Sequence, residues 1–207
     1  ATAFDAYENP ITDAVFLWST PSALGVVDFT GLFTAQTTIG TGWVNASYGG
    51  VTGTAIVTVV PTFLYSIVIT PSTANVMVGY DRQFTAAGYD PYNNLIPGLS
   101  FIWTANIGTI DSDGLFMAGT VPGTGIVTAR NGTVSRTAIV NVVPGTIDRI
   151  VVAPTPATVI VGGTQAFTAT AYDIYNNIVT GATFVWSTNV GIVSSGGMLT
   201  ARTSPGV

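Results

Sequence analysis

The residues of this chain whose types and spacing could do chemistry are its ten acidic side chains. Three Asp residues recur after Tyr or Phe, each with an Asn four residues later. The pairs are Asp5 with Asn9, Asp90 with Asn94, and Asp173 with Asn177. Calcium takes carboxylate and amide oxygens, so these six residues are candidate calcium ligands.

The same pairs also fit a purely structural interpretation. An Asp side chain in a turn accepts hydrogen bonds from backbone N–H groups that follow it. Each pair offers too few carboxylates for the six to eight oxygens of a calcium site. We therefore favour turn capping, expect no cofactor, and keep calcium as the alternative. Asp111 and Asp113 form a denser acidic turn, but it occurs only once, which favours a solvated loop.

The sequence lacks the usual catalytic residues. It has no His and no Cys, and its five basic residues are all Arg. Imidazole or thiolate metal sites, Ser-His-Asp triads and lysine Schiff bases therefore cannot be built. Glycoside hydrolysis needs two carboxyls about 5 to 10 Å apart in a cleft, whereas these acids lie in predicted turns. We predict no catalytic residue and no enzyme.

Two sequons are candidate glycosylation sites, Asn45-Ala46-Ser47 and Asn131-Gly132-Thr133. Asn45 faces outward if Val44 and Ala46 point inward, and Asn131 falls in a predicted hairpin turn. Such triplets also arise by chance in a Thr-rich chain. Both interpretations stay open.

Composition excludes two classes of partner. The net charge is −5 and only 7% of residues are charged, so there is no basic stripe for nucleic acid. The most apolar window is interrupted by Pro61 and several Thr, and no apolar run reaches the roughly 20 residues of a membrane span. The absence of Cys leaves the redox compartment open.

Three copies of one pattern position these residues. The phrases GLFTA, GLFMA and GMLTA begin at Gly31, Gly114 and Gly197, 83 residues apart. The tryptophans Trp18, Trp103 and Trp186 follow the same repeat, with two extra residues in a loop of the first copy. A fixed period of this length is typical of tandem modules.

Each period predicts about seven short strands separated by turn residues, which indicates an all-β sandwich. In AFTATAYD of the third copy, Phe167, Ala169 and Ala171 share one face of a predicted strand. Large aromatic side chains of the neighbouring strand are expected to fill the core. These core residues are Trp18, Phe101, Trp103, Phe184 and Trp186.

Other apolar residues on these strands are predicted to face outward: Leu17, Trp43, Ile102 and Val185. A single exposed apolar residue is ordinary. A patch repeated in every copy indicates a packing surface. We therefore expect self-association with copies of the same protein in a filament or array.

The ordered motifs I-V-x-x-P, V-x-V-G, Q-x-F-T-A-x-x-Y-D, F-x-W-S, G-L-F-T-A and T-A-x-V-x-V-V-P resemble those of bacterial immunoglobulin-like domains. Such domains occur in tandem on surface proteins of the invasin and intimin type. The resemblance covers essentially the whole chain. It implies an immunoglobulin-like fold and an extracellular, rod-forming module, and it implies no chemistry.

The alignment of the copies predicts three modules. Residues 63–145 form a complete module, residues 1–62 a module without its first strands, and residues 146–207 a module without its last strands. Unpaired strand edges favour aggregation. We expect a longer repetitive chain to complete both partial modules. The alternative is strand donation by a neighbouring molecule.

Three functions fit these observations. The first is a structural repeat of an extracellular filament, stalk or surface-layer-like assembly. The second is adhesion to a cell-surface glycan or protein. The third is a spacer within a secreted polysaccharide-active enzyme whose catalytic domain lies elsewhere.

Overall fold

A computed structural model of the chain describes residues 1–203; the last four residues of the predicted third module, 204–207, lie outside them. All regular structure within the described residues is β-strand, which confirms the all-β prediction. In the same part of the chain, no helix has the length and apolar character of a membrane span.

The first copy contains seven strands: β1 (Ala3–Phe4), β2 (Pro10–Ile11), β3 (Leu17–Ser19), β4 (Gly25–Val27), β5 (Phe33–Ala35), β6 (Gly40–Tyr48) and β7 (Val51–Val59). The middle copy contains ten: β8 (Ser66–Thr70), β9 (Thr73–Met77), β10 (Asp81–Gln83), β11 (Thr85–Tyr89), β12 (Leu95–Ile96), β13 (Ile102–Ala105), β14 (Thr109–Ile110), β15 (Leu115–Met117), β16 (Gly123–Asn131) and β17 (Val134–Val143). The third copy contributes β18 (Arg149–Ala153), β19 (Thr164–Ala166), β20 (Thr168–Tyr172), β21 (Gly191–Val193) and β22 (Met198–Ala201).

The largest sheet belongs to the middle copy and has the order β13-β16-β17-β9. Its last pair, β17 with β9, is parallel and runs in register from Ile139↔Thr73 to Val143↔Met77. The first copy has the corresponding sheet β3-β6-β7, in which the long hairpin β6-β7 pairs from Gly40↔Val59 to Tyr48↔Val51. Smaller sheets have the orders β12-β11-β8, β10-β15-β14 and β19-β22-β21.

The strand predicted across RQFTAAGYD is divided at Phe84. The part before Phe84, β10, pairs with β15, whereas the part after it, β11, pairs with β12. At the break, the Phe84 N–H donates to the Gly114 carbonyl over 2.8 Å. The third copy repeats the break at Phe167, whose N–H donates to the Gly197 carbonyl. A strand that changes partners in this way joins two different sheets.

The third copy departs from prediction around Trp186. Residues 182–188, which contain Phe184 and Trp186, form no strand, although the equivalent β3 and β13 are strands. In the other copies this segment pairs with β6 or β16. The equivalent partner in the third copy would begin at residue 206, outside the described residues.

The innermost side chains are Phe84 and Phe116, both with no exposed surface. Their ring centroids lie 6.3 Å apart at 88°, an edge-to-face arrangement. Val127 and Val140 are equally buried. The predicted core aromatics are half-buried rather than central: Trp18, Phe101, Trp103, Phe184 and Trp186. The centre of the core is therefore filled by the phenylalanine at the strand break, Phe84, and by the phenylalanine of the G-L-F phrase, Phe116.

The chain divides into two compact units. The first comprises Ala1–Ile69, Ala86–Ile102 and Ala129–Arg136. The second comprises Thr70–Thr85, Trp103–Thr128 and the described residues from Thr137 onward. These units differ from the predicted modules 1–62, 63–145 and 146–207, whose boundaries stay a prediction.

Candidate functional site: the aspartate turns

The Asp-x-x-x-Asn segment of the middle copy forms a closed turn after β11. The Asp90 N–H donates to the Asn94 carbonyl and the Asn93 N–H donates to the Asp90 carbonyl, each over 3.0 Å. Asp90 Oδ1 accepts the N–H groups of Tyr92 and Asn94 at 3.0 and 2.8 Å. The Asn94 side chain then donates from Nδ2 to Asp90 Oδ2 over 3.0 Å. This geometry confirms the predicted capping.

The other two copies form the same turn. In the first, Asp5 Oδ1 accepts the N–H groups of Tyr7 and Asn9 at 2.8 and 2.9 Å. In the third, Asp173 Oδ1 accepts those of Tyr175 and Asn177 at 3.0 and 2.8 Å.

The residue before each Asn has a left-handed backbone. The φ angles are 66° at Glu8, 66° at Asn93 and 69° at Asn176. Asn tolerates this conformation better than most residues. In the Y-N-N phrase, the first Asn thus adopts the left-handed backbone, and the second Asn bonds to the Asp through its side chain.

The Asp90 turn also bonds to the copy that precedes it. Asp90 Oδ2 accepts the Thr62 N–H over 3.2 Å and the Thr62 hydroxyl over 3.5 Å. In return, Asn94 Nδ2 donates to the Thr37 carbonyl over 2.8 Å. Thr37 and Thr62 belong to the first copy, so this turn forms a polar junction between consecutive copies.

The second junction repeats the first. Asp173 Oδ2 accepts the Gly145 N–H over 2.9 Å, and Asn177 Nδ2 donates to the Thr120 carbonyl over 2.8 Å. Gly145 and Thr120 lie 83 residues after Thr62 and Thr37. Each junction lies within one compact unit. The repeat therefore specifies a contact between copies as well as a fold.

Both junction carboxylates are buried, with exposed fractions of 2% for Asp90 and 1% for Asp173. Burial raises the pKa of each group, because it disfavours the charged form. Hydrogen bonds from Asn94 and the Thr62 and Tyr92 backbone outweigh burial and lower the pKa of Asp90. Bonds from Asn177 and the Gly145 and Tyr175 backbone do the same for the pKa of Asp173. The ionised carboxylate is the form that these turns stabilise.

The first turn has the same internal bonds in a different environment. Asp5, Tyr7 and Asn9 are exposed. The side-chain hydrogen bond from Asn9 is the main cause of the lowered pKa of Asp5, followed by the backbone N–H groups of Asn9 and Tyr7. The turn thus forms without the contacts seen at the two junctions.

The second junction carries additional contacts. Arg149 lies over the Tyr172 ring, 4.4 Å from its centroid, and donates to the Asn176 side-chain oxygen. The Tyr175 hydroxyl lies 2.8 Å from where a Cβ on Gly79 would stand, so a side chain at this position would displace the Tyr175 ring. At the first junction, Ser66 occupies the position equivalent to Arg149.

The surroundings of the aspartates bear on the calcium hypothesis. Both oxygens of Asp90 and of Asp173 accept hydrogen bonds from N–H or O–H donors, which direct positive charge at each carboxylate. Among residues 1–203, no group of three or more acidic residues is placed to hold a metal ion. Calcium binding by the six candidate residues stays an untested hypothesis.

A second recurring turn lies before the G-L-F phrase. Asp28 Oδ1 accepts the N–H groups of Thr30 and Leu32 at 2.8 and 3.0 Å. Asp111 accepts those of Asp113 and Leu115, both at 2.9 Å. In the third copy, the Ser194 hydroxyl accepts the Met198 N–H. Asp111 therefore caps a turn in which Asp111 and Asp113 are both exposed, in agreement with a solvated loop, and the 83-residue spacing to Asp28 was the signal for the capping.

The residues predicted to face outward are exposed. The exposed fractions are 74% for Leu17 and 67% for Ile102, Trp43 is exposed on 38% of its surface, and Val185 is fully exposed. Trp43 pairs across the β6-β7 hairpin with Ile56, another exposed residue. Contact of these residues with a second copy stays a prediction.

The two sequon asparagines are half-buried and hydrogen-bonded. Asn45 Oδ1 accepts the Thr54 hydroxyl over 2.8 Å on the outward side of β6. Asn131 Nδ2, the atom that a glycan would occupy, donates to the Ser100 carbonyl over 2.8 Å. Glycosylation of either residue stays a prediction, and Asn131 would have to give up this bond.

Comparison with known proteins places the fold. No family model matches the sequence. Ice-binding protein 1 of Shewanella frigidimarina is 34% identical over 176 residues, which cover 82% of this chain but 20% of that protein, so the chain spans about a fifth of the length of this relative.

Among solved structures, the Escherichia coli adhesin FdeC superposes with a TM-score of 0.60 at 23% identity, over 86% of this chain and 68% of that chain. Invasin, a bacterial integrin-binding protein, gives a TM-score of 0.46 at 16% identity, over 87% of this chain and 43% of that chain. The strand order of the copies and the FdeC superposition agree with the motifs of the sequence. The chain therefore has the fold of tandem immunoglobulin-like modules, as in the bacterial adhesin FdeC.

Proposed function

We propose that this chain is a structural segment of an extracellular surface protein. In this proposal, immunoglobulin-like modules follow one another in a filament, stalk or surface-layer-like assembly. The observation that carries the proposal is the repeated junction. A buried, ionised aspartate bonds to the preceding copy at both Asp90 and Asp173.

Such a junction suits a load-bearing function. A flexible linker would leave consecutive modules free to reorient. Here each turn exchanges hydrogen bonds in both directions, with the carboxylate accepting from one residue of the preceding copy and the amide donating to another. Bonds to a charged group are stronger than those between neutral groups. Several such junctions in series would hold successive modules in a defined relation.

Labelling of intact cells tests the surface location. Antibodies raised against the 207-residue chain are expected to bind unpermeabilised cells of the producing organism, and external protease is expected to abolish the signal. Antibodies against a cytoplasmic protein serve as the control. A signal that appears only after permeabilisation would refute the proposal, and electron microscopy of the labelled material would show filaments, stalks or a surface layer.

Adhesion is the second candidate function, and the FdeC superposition favours it because that protein is described as an adhesin. Binding of the chain to glycan arrays or to host-cell surfaces would support adhesion. A spacer function is the third candidate, since the ice-binding relative is about five times longer than the matched segment. The sequence that flanks this segment would decide between an ice-binding, an enzymatic and a purely structural neighbour.

Self-association through the exposed apolar residues is part of the proposal. Ile102 of the middle copy and Leu17 of the first copy occupy equivalent positions and are both exposed. Ile102→Asp is expected to abolish concentration-dependent assembly in sedimentation velocity experiments, because a charge replaces apolar contact. Ser112→Asp is the control, since Ser112 is exposed in a turn outside β13. Unchanged assembly of the Ile102 variant would exclude this surface.

A further inference from the structure

The three aspartate turns have the same internal structure but different surroundings. In two of them, the carboxylate accepts a backbone N–H of the preceding copy and the Asn side chain donates to a backbone carbonyl of that copy. The third, Asp5–Asn9, repeats the backbone bond from Asp5 N–H to the Asn9 carbonyl at 2.9 Å and the bond from Asn9 Nδ2 to Asp5 Oδ2 at 3.0 Å. The turn therefore holds its polar atoms in the junction geometry before any partner is bound.

Exposure distinguishes this turn from the others. Asp5 is exposed, whereas Asp90 and Asp173 each have an exposed fraction of 2% or less. The tyrosine of the turn follows the same trend, with exposed fractions of 86% at Tyr7, 58% at Tyr92 and 46% at Tyr175. At Tyr175 the covering group is a glycine of the preceding copy, Gly79. The surface that is covered at the later turns is thus open at the first.

We propose that the Asp5–Asn9 turn is a docking site for another immunoglobulin-like module of the same repeat. Asp5 Oδ2 would accept a backbone N–H at the position of Thr62 or Gly145, directly after the V-V-P phrase. Asn9 Nδ2 would donate to a backbone carbonyl at the position of Thr37 or Thr120, six residues after the glycine of the G-L-F phrase. The partner is recognised by these two backbone groups and by a surface that covers Tyr7.

Charge supports this partner. The Asp5 carboxylate is held ionised by its own turn, because the Asn9 side chain and the turn N–H groups lower its pKa. A backbone N–H that is not used in a sheet complements this charge. At the two observed junctions, the residue that supplies the N–H follows a Pro, Pro61 or Pro144, and lies beyond the end of a strand. The same linker would leave the same N–H free in another module.

An extended chain tests the inference. Residues 1–85 are placed before the complete chain, because Ala1 aligns with Ala86 and the join then reproduces the sequence leading to Asp90. In this chain the second Asp5 follows a copy that carries both Thr37 and Thr62. Asp5→Asn in the second copy is expected to lower the melting temperature, and this decrease should be several-fold larger than the decrease caused by the same change in the 207-residue chain. Asp28→Asn in the same copy is the control, and its effect on the melting temperature should be the same in both chains.

Side-chain amide exchange gives a second measurement that does not depend on a folded variant. The extended chain contains two Asn9 residues, one exposed and one at the new junction. We expect the Nδ2 hydrogens of the second Asn9 to exchange as slowly as those of Asn94, and those of the first to exchange faster. Equal exchange at the two Asn9 residues, or equal effects of Asp5→Asn in both chains, would overturn the inference.

The inference rests on the module junctions of the proposed function but not on the cellular location. A failed extended-chain experiment would remove the docking site and leave the cell-labelling result intact. Intracellular labelling would remove the surface function and leave the docking site intact.

Discussion

The middle and third copies have nearly the same sequence phrases but differ in what they bury. Phe84 of the middle copy has no exposed surface, whereas its equivalent Phe167 is half-buried. Trp103 lies in β13, whereas Trp186 lies in no strand. The junction aspartates do not follow this trend, because Asp90 and Asp173 are equally buried, with exposed fractions of 2% and 1%.

This difference separates two kinds of contact. The core contact of the middle copy is the edge-to-face pair of Phe84 and Phe116. The aspartate junction needs only a turn and the end of the preceding copy, and both are formed at Asp173. The Asp173 junction is therefore formed although Phe167 of the same copy is only half-buried.

The largest effect is expected from truncation of the central phenylalanine. Phe84→Ala removes a fully buried ring from its contact with Phe116 and is expected to cost about 3–5 kcal/mol of unfolding free energy. Phe167→Ala removes a half-buried ring and should cost less than half as much. Urea unfolding of both variants measures the difference, and equal losses would show that the third copy is as closed as the middle one.

Acid should weaken both junctions together. The pKa values of Asp90 and Asp173 are lower than their ordinary value of 3.8, so their contribution to stability is present above that value. It is lost as the pH falls through the lowered pKa values. The melting temperature is expected to be constant above about pH 5 and to fall below about pH 4. A double variant, Asp90→Asn with Asp173→Asn, should show a flatter acid limb; an unchanged limb would assign the acid sensitivity elsewhere.

Single substitutions of the two aspartates should be equivalent. In Asp90→Asn or Asp173→Asn, one acceptor oxygen becomes an NH₂ group that faces other donors. Both variants are expected to lower the melting temperature by a similar amount, in contrast to the unequal phenylalanine pair. Asp148→Asn, at an exposed position near the second junction, is the control and should have little effect. A much smaller loss for Asp173 would show that its junction depends on a complete module.

A smaller effect is expected at Arg149, which has a side-chain contact found only at the second junction. Arg149→Ala removes the contact with the Tyr172 ring and the bond to Asn176, with an expected loss of about 0.5–1 kcal/mol. Arg149→Lys keeps the charge without the planar group and should recover part of the loss. Thermal melts of the two variants test this. An unchanged melting temperature in both would show that the contact does not contribute to stability.

The smallest effect is expected from calcium. The oxygens of Asp90 and Asp173 are already surrounded by hydrogen-bond donors, so a chelator should leave the melting temperature unchanged. A melt in excess calcium measured against one in chelator tests both junctions together. Stabilisation by calcium that is lost in Asp90→Asn would revive the calcium hypothesis at this turn.

Much of the fold could be predicted from the residues. Alternation and turn residues located most strands of the middle copy, and the capping function of the Asp and Asn pairs followed from local chemistry. The break at Phe84 was not predicted, because alternation continues through it while the hydrogen-bond partners change. The absence of a strand at Phe184 and Trp186 was not predicted either, because the alternation of apolar residues there is typical of a strand.

The contacts of the two junctions could not be predicted from the sequence, because their partners are backbone groups. The groups that meet Asp90 and Asn94 are a backbone N–H and a backbone carbonyl, at Thr62 and Thr37. Every residue except Pro carries both groups, so no residue type marks them. The burial that distinguishes Asp90 from Asp5 is likewise a property of the neighbouring copy.

The sequence by itself determined the strands, the turns and their 83-residue repetition, because these depend on local backbone preference and on the alternation of apolar side chains. The tertiary structure decided which backbone groups of the preceding copy the Asp90 and Asp173 turns contact. The reason is physical: a turn closes through bonds among five consecutive residues, whereas a junction needs backbone atoms that are brought near only when two copies fold side by side.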